Sequence, residues 1–451
     1  MTPVAEPLPP TSAALRQARR LVALLVLVAS TGYLFRVDVT VVAPRLMEEF
    51  HFSQAQMGQI FSAFLVGYTV LQVPSGWIAD RVKTRPLFLS LTLGWALLTA
   101  ATTFVGRLGL ALGALPALLL LRTASGIVAA PTYPAAGRAI AVSVVPRLHG
   151  RSNGAVLASI GVGSAVAPPL LGFATARWGW RPALLLCAAI AAVVAVIWRA
   201  FVPTVETFPS QLLPPEGEGC SSRQGGTGEG ATLRSEQRVG DGPSSGKRLS
   251  LSASPFRRRS FWFLVASYLL QGYVGYVFVF WFYLYLVQVR HFDLLRAAWL
   301  TTLPWACTLI AIPVGGVLSD WAVNRWGTTW GRRAVPLPAL LVASGLLVIG
   351  ARTDSAPLAV ASLTLSTVLV LVTEGPFWAS MTQLSGPQSG VGGGVMNFGS
   401  NLGGMLSPTV TPWLAWHLGW EMALSLTALL AVLGAALWIG VEIGQSKEIP
   451  G

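Results

Sequence analysis

Apolar stretches of roughly 20 residues follow one another along almost the whole of this 451-residue chain, and their recurrence limits what it can fold into. A helix needs about 20 apolar residues to cross a hydrocarbon layer of ~30 Å. Inside that layer each backbone donor and acceptor must find its partner within the segment, so helices are the form such runs take. The runs fall near 21–43, 57–79, 86–106, 114–135, 152–174 and 182–203, then near 260–287, 297–318, 334–351, 357–381, 392–415 and 420–441. Only 11% of the residues are charged and 53% are hydrophobic, whereas a soluble domain carries about 25% charged residues. The polar surface that a soluble core of this size requires is missing. Glycine and proline break soluble helices, but in a bundle small residues let helices approach and neighbours re-satisfy the freed backbone groups. The expected fold class is an all-α membrane protein with twelve transmembrane helices.

The net charge of +13 does not point to nucleic acid, because the basic residues sit in short clusters between apolar runs. Such clusters mark loops that face an anionic leaflet from the cytoplasm. Arg81, Lys83 and Arg85; Arg147 and Arg151; Arg257, Arg258 and Arg259; and Arg325, Arg332 and Arg333 fall on one side, while the other carries a sparser mixture such as Arg45 with Glu48 and Glu49. The positive-inside rule then puts both termini in the cytoplasm of a cell-membrane protein whose surroundings are lipid. Arg16, Arg19 and Arg20 before the first run give it the look of a signal peptide, but no cleavage site of small residues follows, so it is expected to stay as a helix. Cys187, Cys220 and Cys307 are isolated, and His51, His149, His291 and His417 are scattered. Neither a disulfide framework nor a metal site is expected, and with no nucleophile or cofactor constellation in view the chain reads as neither an enzyme nor a cofactor protein.

Residues 204–256 are rich in Gly, Ser and Pro, carry balanced charge, and have little that could pack; they are expected to form a disordered cytoplasmic linker. The expected organisation is a cytoplasmic tail over 1–20, a six-helix half over 21–203, the linker, a second six-helix half over 257–441 and a tail over 442–451. The halves resemble each other. Gly76 and Asp80 return as Gly316 and Asp320, and Gly154, Gly163, Pro168, Gly179 and Trp180 return as Gly394, Gly403, Pro408, Gly419 and Trp420, always 240 residues later. Two parallel six-helix repeats leave a site between them near the midplane, as alternating access requires.

Arg36 lies deep in the first run and Arg122 deep in the fourth. A guanidinium at that depth faces a bundle interior or a wet cavity, and its planar fork suits a carboxylate. The alternatives are an ion pair with Asp38 or another buried acid for Arg36, and an interfacial position for Arg122. Tyr33, Tyr68, Gln271, Tyr273, Tyr276, Trp378 and Asn397 could offer hydroxyl, amide and ring contacts to a polyhydroxy acid, or could equally bond helix to helix. The loop from Gly76 through Asp80, Arg81, Lys83 and Arg85 pairs an acid at a helix end with arginines, either as a gate latch or as a simple topology anchor.

That loop resembles the signature loop of the major facilitator superfamily, with a degenerate second copy around Asp320, Arg332 and Arg333. More narrowly, the chain is similar to the anion:cation symporter family of sugar-acid and organic-anion carriers. The similarity lies in Arg36-Val37-Asp38 with Ala43-Pro44; Phe61 to Phe64 through Tyr68, Gln72 and Pro74; Arg122 with Gly126; Pro131 to Pro134 and Arg138; Gly179-Trp180-Arg181; and Met396-Asn397 through Asn401 to Gly404. It implies the two-halved major facilitator fold, transport of a small organic anion by alternating access, and a monomer. By the same resemblance Arg36 and Arg122 bind the substrate carboxylate, Tyr33, Tyr68 and Asn397 line its site, and Gly76, Asp80, Arg81, Arg85, Asp320 and Arg332 form gates.

The chain departs from the pattern where coupling is concerned. The family's usual acids are replaced by Phe35 and by Ala129 of Gly126-Ile-Val-Ala-Ala-Pro131, and Asp38 and Glu374 are the intramembrane acids that remain. Either could carry the coupling proton, with Asp38 pairing Arg36 when substrate is absent, or both could be structural; sodium coupling, uniport and exchange stay open. An exporter, faintly suggested by Gly154, Gly163 and Pro168, and a transporter-like membrane sensor are the competing expectations.

Overall fold

A computed structural model describes residues 12–107, 113–144, 149–202, 255–385 and 389–443. Its helices are α1 (Ser12–Phe50), α2 (Gln54–Val70), α3 (Gln72–Arg81), α4 (Thr84–Thr102), α5 (Ala114–Ala129), α6 (Thr132–Ser143), α7 (His149–Trp178) and α8 (Trp180–Phe201) in the first half. The second half holds α9 (Arg259–Gln288), α10 (Leu294–Trp326), α11 (Thr328–Arg333), α12 (Pro336–Arg352), α13 (Ala356–Val372), α14 (Glu374–Ser385), α15 (Ser389–Leu418) and α16 (Trp420–Ile439). No strand occurs among the described residues. α1 begins inside the stretch read as a tail. The expected linker 204–256 lies outside the described residues except for Pro255 and Phe256, which open a single 3₁₀ turn, Pro255–Arg257.

Four pairs of these helices are single rods interrupted once: α2 with α3, α5 with α6, α11 with α12, and α13 with α14. Each interruption has a proline behind it. Pro74, Pro134, Pro338 and Pro376 lack the N–H that would bond the carbonyl four residues back, and the breaks fall at Leu71, at Ala130–Pro131, at Ala334–Val335 and at Thr373. Twelve antiparallel rods result, nine of them long and apolar enough among the described residues to cross a membrane by length and composition. The chain is therefore a multi-pass membrane protein. Both ends of the described chain lie at one end of the bundle, here called the terminal end; residues 51–53, Gly179, 289–293 and Gly419 cap the far end.

The repeat is visible in the packing. A Cβ on Gly163 of α7 would come within 2.3 Å of the Ser30 carbonyl of α1, and one on Gly403 of α15 within 2.1 Å of the Leu269 carbonyl of α9. The same small-residue contact thus joins the first and fifth rods of each half. Gly179 and Gly419, also 240 residues apart, both turn the chain with φ of 88° and 81°, a conformation that only glycine adopts without strain.

Candidate functional site

Arg36 and Asp38 are both on α1, and both are almost fully buried, at 4% and 1% exposure. Residues two apart on a helix point to different sides, so the two do not meet. Asp38 turns into the first half, where Arg122 of α5, itself 3% exposed, donates to its Oδ1 over 3.1 Å. Arg122 also donates to the carbonyls of Phe35 (3.3 Å) and Arg36 (3.2 Å), and the Thr99 hydroxyl makes a long contact of 3.5 Å to Asp38. The expected Arg36–Asp38 pair is therefore replaced by an Arg122–Asp38 pair that ties α5 to α1.

Arg36 turns toward the second half. Its guanidinium lies 5.4 Å from the ring centre of Tyr33, 5.5 Å from Phe64, 4.8 Å from Tyr68 and 5.2 Å from Tyr276. Such cation–ring contacts are worth ~0.5–2 kcal/mol each, more when dry. Its Nη2 donates to the Tyr276 hydroxyl, and its Nε is buried without an acceptor. No carboxylate among the described residues pairs with it. A cavity beside it is lined by Gly32, Tyr33, Phe64, Tyr68, Trp95 and Tyr133.

Glu374 is the first residue of α14, at the break in its rod. Tyr268 of α9 donates to its Oε2 over 2.7 Å and Gln271 of α9 to its Oε1 over 3.0 Å. Gln271 also reaches the carbonyl of Val370 (3.4 Å), which the break exposes and which Thr373 Oγ1 also meets at 2.6 Å. These donors and Trp378, which also bonds the carboxyl, are neutral, and no cation among the described residues pairs with it, unlike Asp38. Tyr268 and Gln271 are both on α9, the helix that carries Tyr276 to Arg36.

The remaining candidates divide. Tyr273 bonds Thr411 at 3.0 Å and serves packing between α9 and α15. Trp378 is 42% exposed and packs beside Gly393 and Tyr268. Asn397 is half-buried, and its carbonyl accepts from Asn401. Arg332 is buried and reaches Asp320 (2.7 Å), Ser319 (3.0 Å) and Gln383 (3.2 Å), joining α10, α11 and α14 at the terminal end. Gly76 has open space around its Cα, Arg81 ends α3 in an exposed position, and Arg85 donates to the Arg199 carbonyl at 2.7 Å, tying α4 to α8. The Asp80 side chain lies outside the described residues. Tyr268 and Tyr133 are not among the residues expected from the sequence to line the site. Tyr268 was findable, being three residues before Gln271 and so on its face of α9; Tyr133 stands by Arg36 only because α5 and α6 break at Ala130–Pro131.

The profile of the Major Facilitator Superfamily matches residues 22–408. Among curated proteins, the probable sulfoacetate transporter of Cupriavidus necator is 27% identical over 372 residues, covering 82% of this chain and 80% of its own. The D-galactonate transporter of Escherichia coli O6:H1 is 29% identical over 385 residues, covering 81% and 82%. The probable galactarate/D-glucarate transporter GarP of Escherichia coli K12 is 23% identical over 350 residues, covering 77% of each. Among solved structures, a bacterial homologue of the human lysosomal transporter Spinster, crystallised inward-facing and unoccupied, superposes with a TM-score of 0.72 at 18% identity, over 94% of this chain and 97% of that one.

Proposed function

This chain belongs to the Major Facilitator Superfamily, and on that premise we propose that it carries a small organic anion, a sugar acid or another carboxylate or sulfonate, bound at Arg36. One observation carries the proposal. Of the two deep arginines, Arg122 is neutralised by Asp38, and Arg36 is left buried with no acid among the described residues at its side. A buried uncompensated guanidinium is costly, and a bidentate oxyanion is the ligand that best relieves it. Transporters named for sulfoacetate, galactarate and D-galactonate among the relatives support the same substrate class. Tyr33, Tyr68, Gln271, Trp378 and Asn397 would meet the hydroxyls of such an acid, and Arg122 acts on it through the position of α1.

Glu374 is the group that would carry a coupling proton, because no cation among the described residues pairs with it, whereas Asp38 is held by Arg122. With Glu374 ionised the space between the halves would carry its charge opposite that of Arg36; with Glu374 protonated the charge of Arg36 would be left for the anion. Proton and anion would then load together. The terminal end is assigned to the cytoplasm of a cell-membrane protein that works as a monomer, since Arg81, Lys83, Arg85, Arg325, Arg332 and Arg333 gather there. Gly76 with Arg81 and Asp80, and Asp320 with Arg332, would form its gates, Arg85 supporting them through α8.

The test is uptake of labelled sulfoacetate, galactarate, glucuronate and D-galactonate into proteoliposomes, with and without an imposed proton gradient. Saturable uptake that is lost in Arg36→Ala is expected. In Glu374→Gln, gradient-driven accumulation should vanish while exchange of internal for external anion persists. Uptake driven by a sodium gradient alone would replace the proton assignment, and absence of flux for all four acids would refute the substrate class.

A further inference from the structure

Arg36 and Tyr276 stand 240 residues apart, the spacing of the repeat, so the two halves present equivalent positions of their first rods to each other. One half offers a guanidinium there and the other a phenol. From this meeting a chain of hydrogen bonds runs onward. Tyr276 donates to Asn401 Oδ1 over 3.2 Å, and Asn401 Nδ2 donates to Gln72 Oε1 over 3.1 Å. The chain thus leaves the first half at α1, crosses α9 and α15, and returns to the first half at Gln72, directly after the break between α2 and α3.

The guanidinium is only half engaged. Nε and Nη2 share one edge of the group, the edge along which a carboxylate accepts two parallel bonds. On Arg36 the Tyr276 hydroxyl sits on Nη2, while Nε, buried, has no acceptor. A phenol oxygen is a single atom and cannot span both donors. An oxyanion that takes this edge gains the idle Nε and competes with the phenol for Nη2.

We infer that Tyr276 is a competing internal ligand of Arg36, holding the guanidinium in the empty carrier and released when the anion arrives. The inference rests on the reading of Arg36 as the anion's ligand. It makes Tyr276 a determinant of affinity and selectivity: a neutral or singly accepting ligand does not repay the displaced phenol, and a bidentate oxyanion does. It also joins occupancy to the contact between the halves, since the displaced hydroxyl is the one that bonds Asn401, and Asn401 holds Gln72.

The sign of one substitution tests it. Tyr276→Phe keeps the ring over Arg36 and its stack on Phe280, at 5.8 Å between centroids, and removes only the oxygen. In purified full-length protein, binding of the same four acids should tighten for whichever of them the wild type binds, by roughly threefold to tenfold, the scale of one ordinary net hydrogen bond. In proteoliposomes exchange should persist, and net uptake, which needs the empty carrier to return, should slow. Asn401→Ala removes the other anchor of the phenol and should tighten binding in the same sense by about twofold, which keeps the test open if Tyr276→Phe does not fold. Weaker or unchanged binding in the variants would overturn the inference and make Tyr276 an ordinary substrate contact or a spacer. Arg36→Ala separates the two levels: if it leaves binding intact, the assignment of Arg36 itself falls; if it abolishes binding while Tyr276→Phe weakens it, only the competition falls.

Discussion

Asp38 and Arg122 illustrate how a buried pair constrains what each member can do. Exposed at 1% and 3%, they make an ion pair whose net contribution is small or negative against an apolar substitute, but whose half-removal strands a charge. Asp38→Asn should therefore destabilise the purified protein by about 3 kcal/mol or more, and Asp38→Asn with Arg122→Met by much less. Thermal unfolding in detergent measures both. An equal loss in the single and double variants would show that the pair holds no special place in the first half. That Asp38 is committed in this way is also why Glu374, bonded by the neutral donors of Tyr268, Gln271 and Trp378, is the better candidate for a proton that comes and goes. That Arg36 and Asp38 do not pair, although the pair was expected, could have been read from the sequence, because residues two apart point to different sides of one helix. The partner each would choose across helices could not.

At the scale of the helices, small residues set how closely rods approach, and their place decides what a substitution disturbs. A Cβ on Gly126 of α5 would lie 1.9 Å from the Phe64 carbonyl of α2, inside one half. A Cβ on Gly58 of α2 would lie 1.9 Å from the Pro408 carbonyl of α15, across the two halves. Both changes to alanine force helices apart, but with different outcomes. Gly126→Ala should lower the unfolding temperature without altering which side of the bundle is accessible. Gly58→Ala should instead shift the protein toward states in which the far end is open, read as faster labelling by a membrane-impermeant thiol reagent of a cysteine placed at Thr409, which faces Ser62 at 2.8 Å. Identical responses from the two variants would refute the distinction. The broken rods were hidden among thirty prolines. Pro74, Pro134, Pro338 and Pro376 follow the breaks by a few residues, yet the helices run uninterrupted through Pro44, Pro168 and Pro304, so proline alone does not mark where a rod divides.

For the whole molecule, hydrogen bonds among the described residues join the halves at the far end, beyond the Asn401–Gln72 contact. Gln54 meets Gln288 at 2.9 Å, Ser62 meets the Met405 carbonyl at 2.7 Å, and Thr302 meets the Ala165 carbonyl at 3.0 Å. Toward the terminal end, a Cβ added at Gly154 or Gly394 meets nothing within 4 Å. This is the arrangement of a bundle sealed at the far end, and a carrier of alternating access must break that seal in each cycle. Cysteines at positions 54 and 288, joined by a short bifunctional thiol reagent, should hold the seal shut and stop uptake, with recovery when a cleavable linker is cut. Uptake undiminished by the cross-link would mean that the halves do not separate there. The twelve rods, the repeat with its constant offset, and two arginines at membrane depth were determined by the sequence alone, because hydrophobic length and the price of a buried charge are local properties that composition and position reveal. Only the tertiary structure decided that Arg122 takes Asp38, that Arg36 meets its own repeat-mate Tyr276, and that Glu374 faces Tyr268. Those choices depend on the rotation of each rod about its axis and on the register between halves, and both are set by packing across the bundle rather than by any one segment.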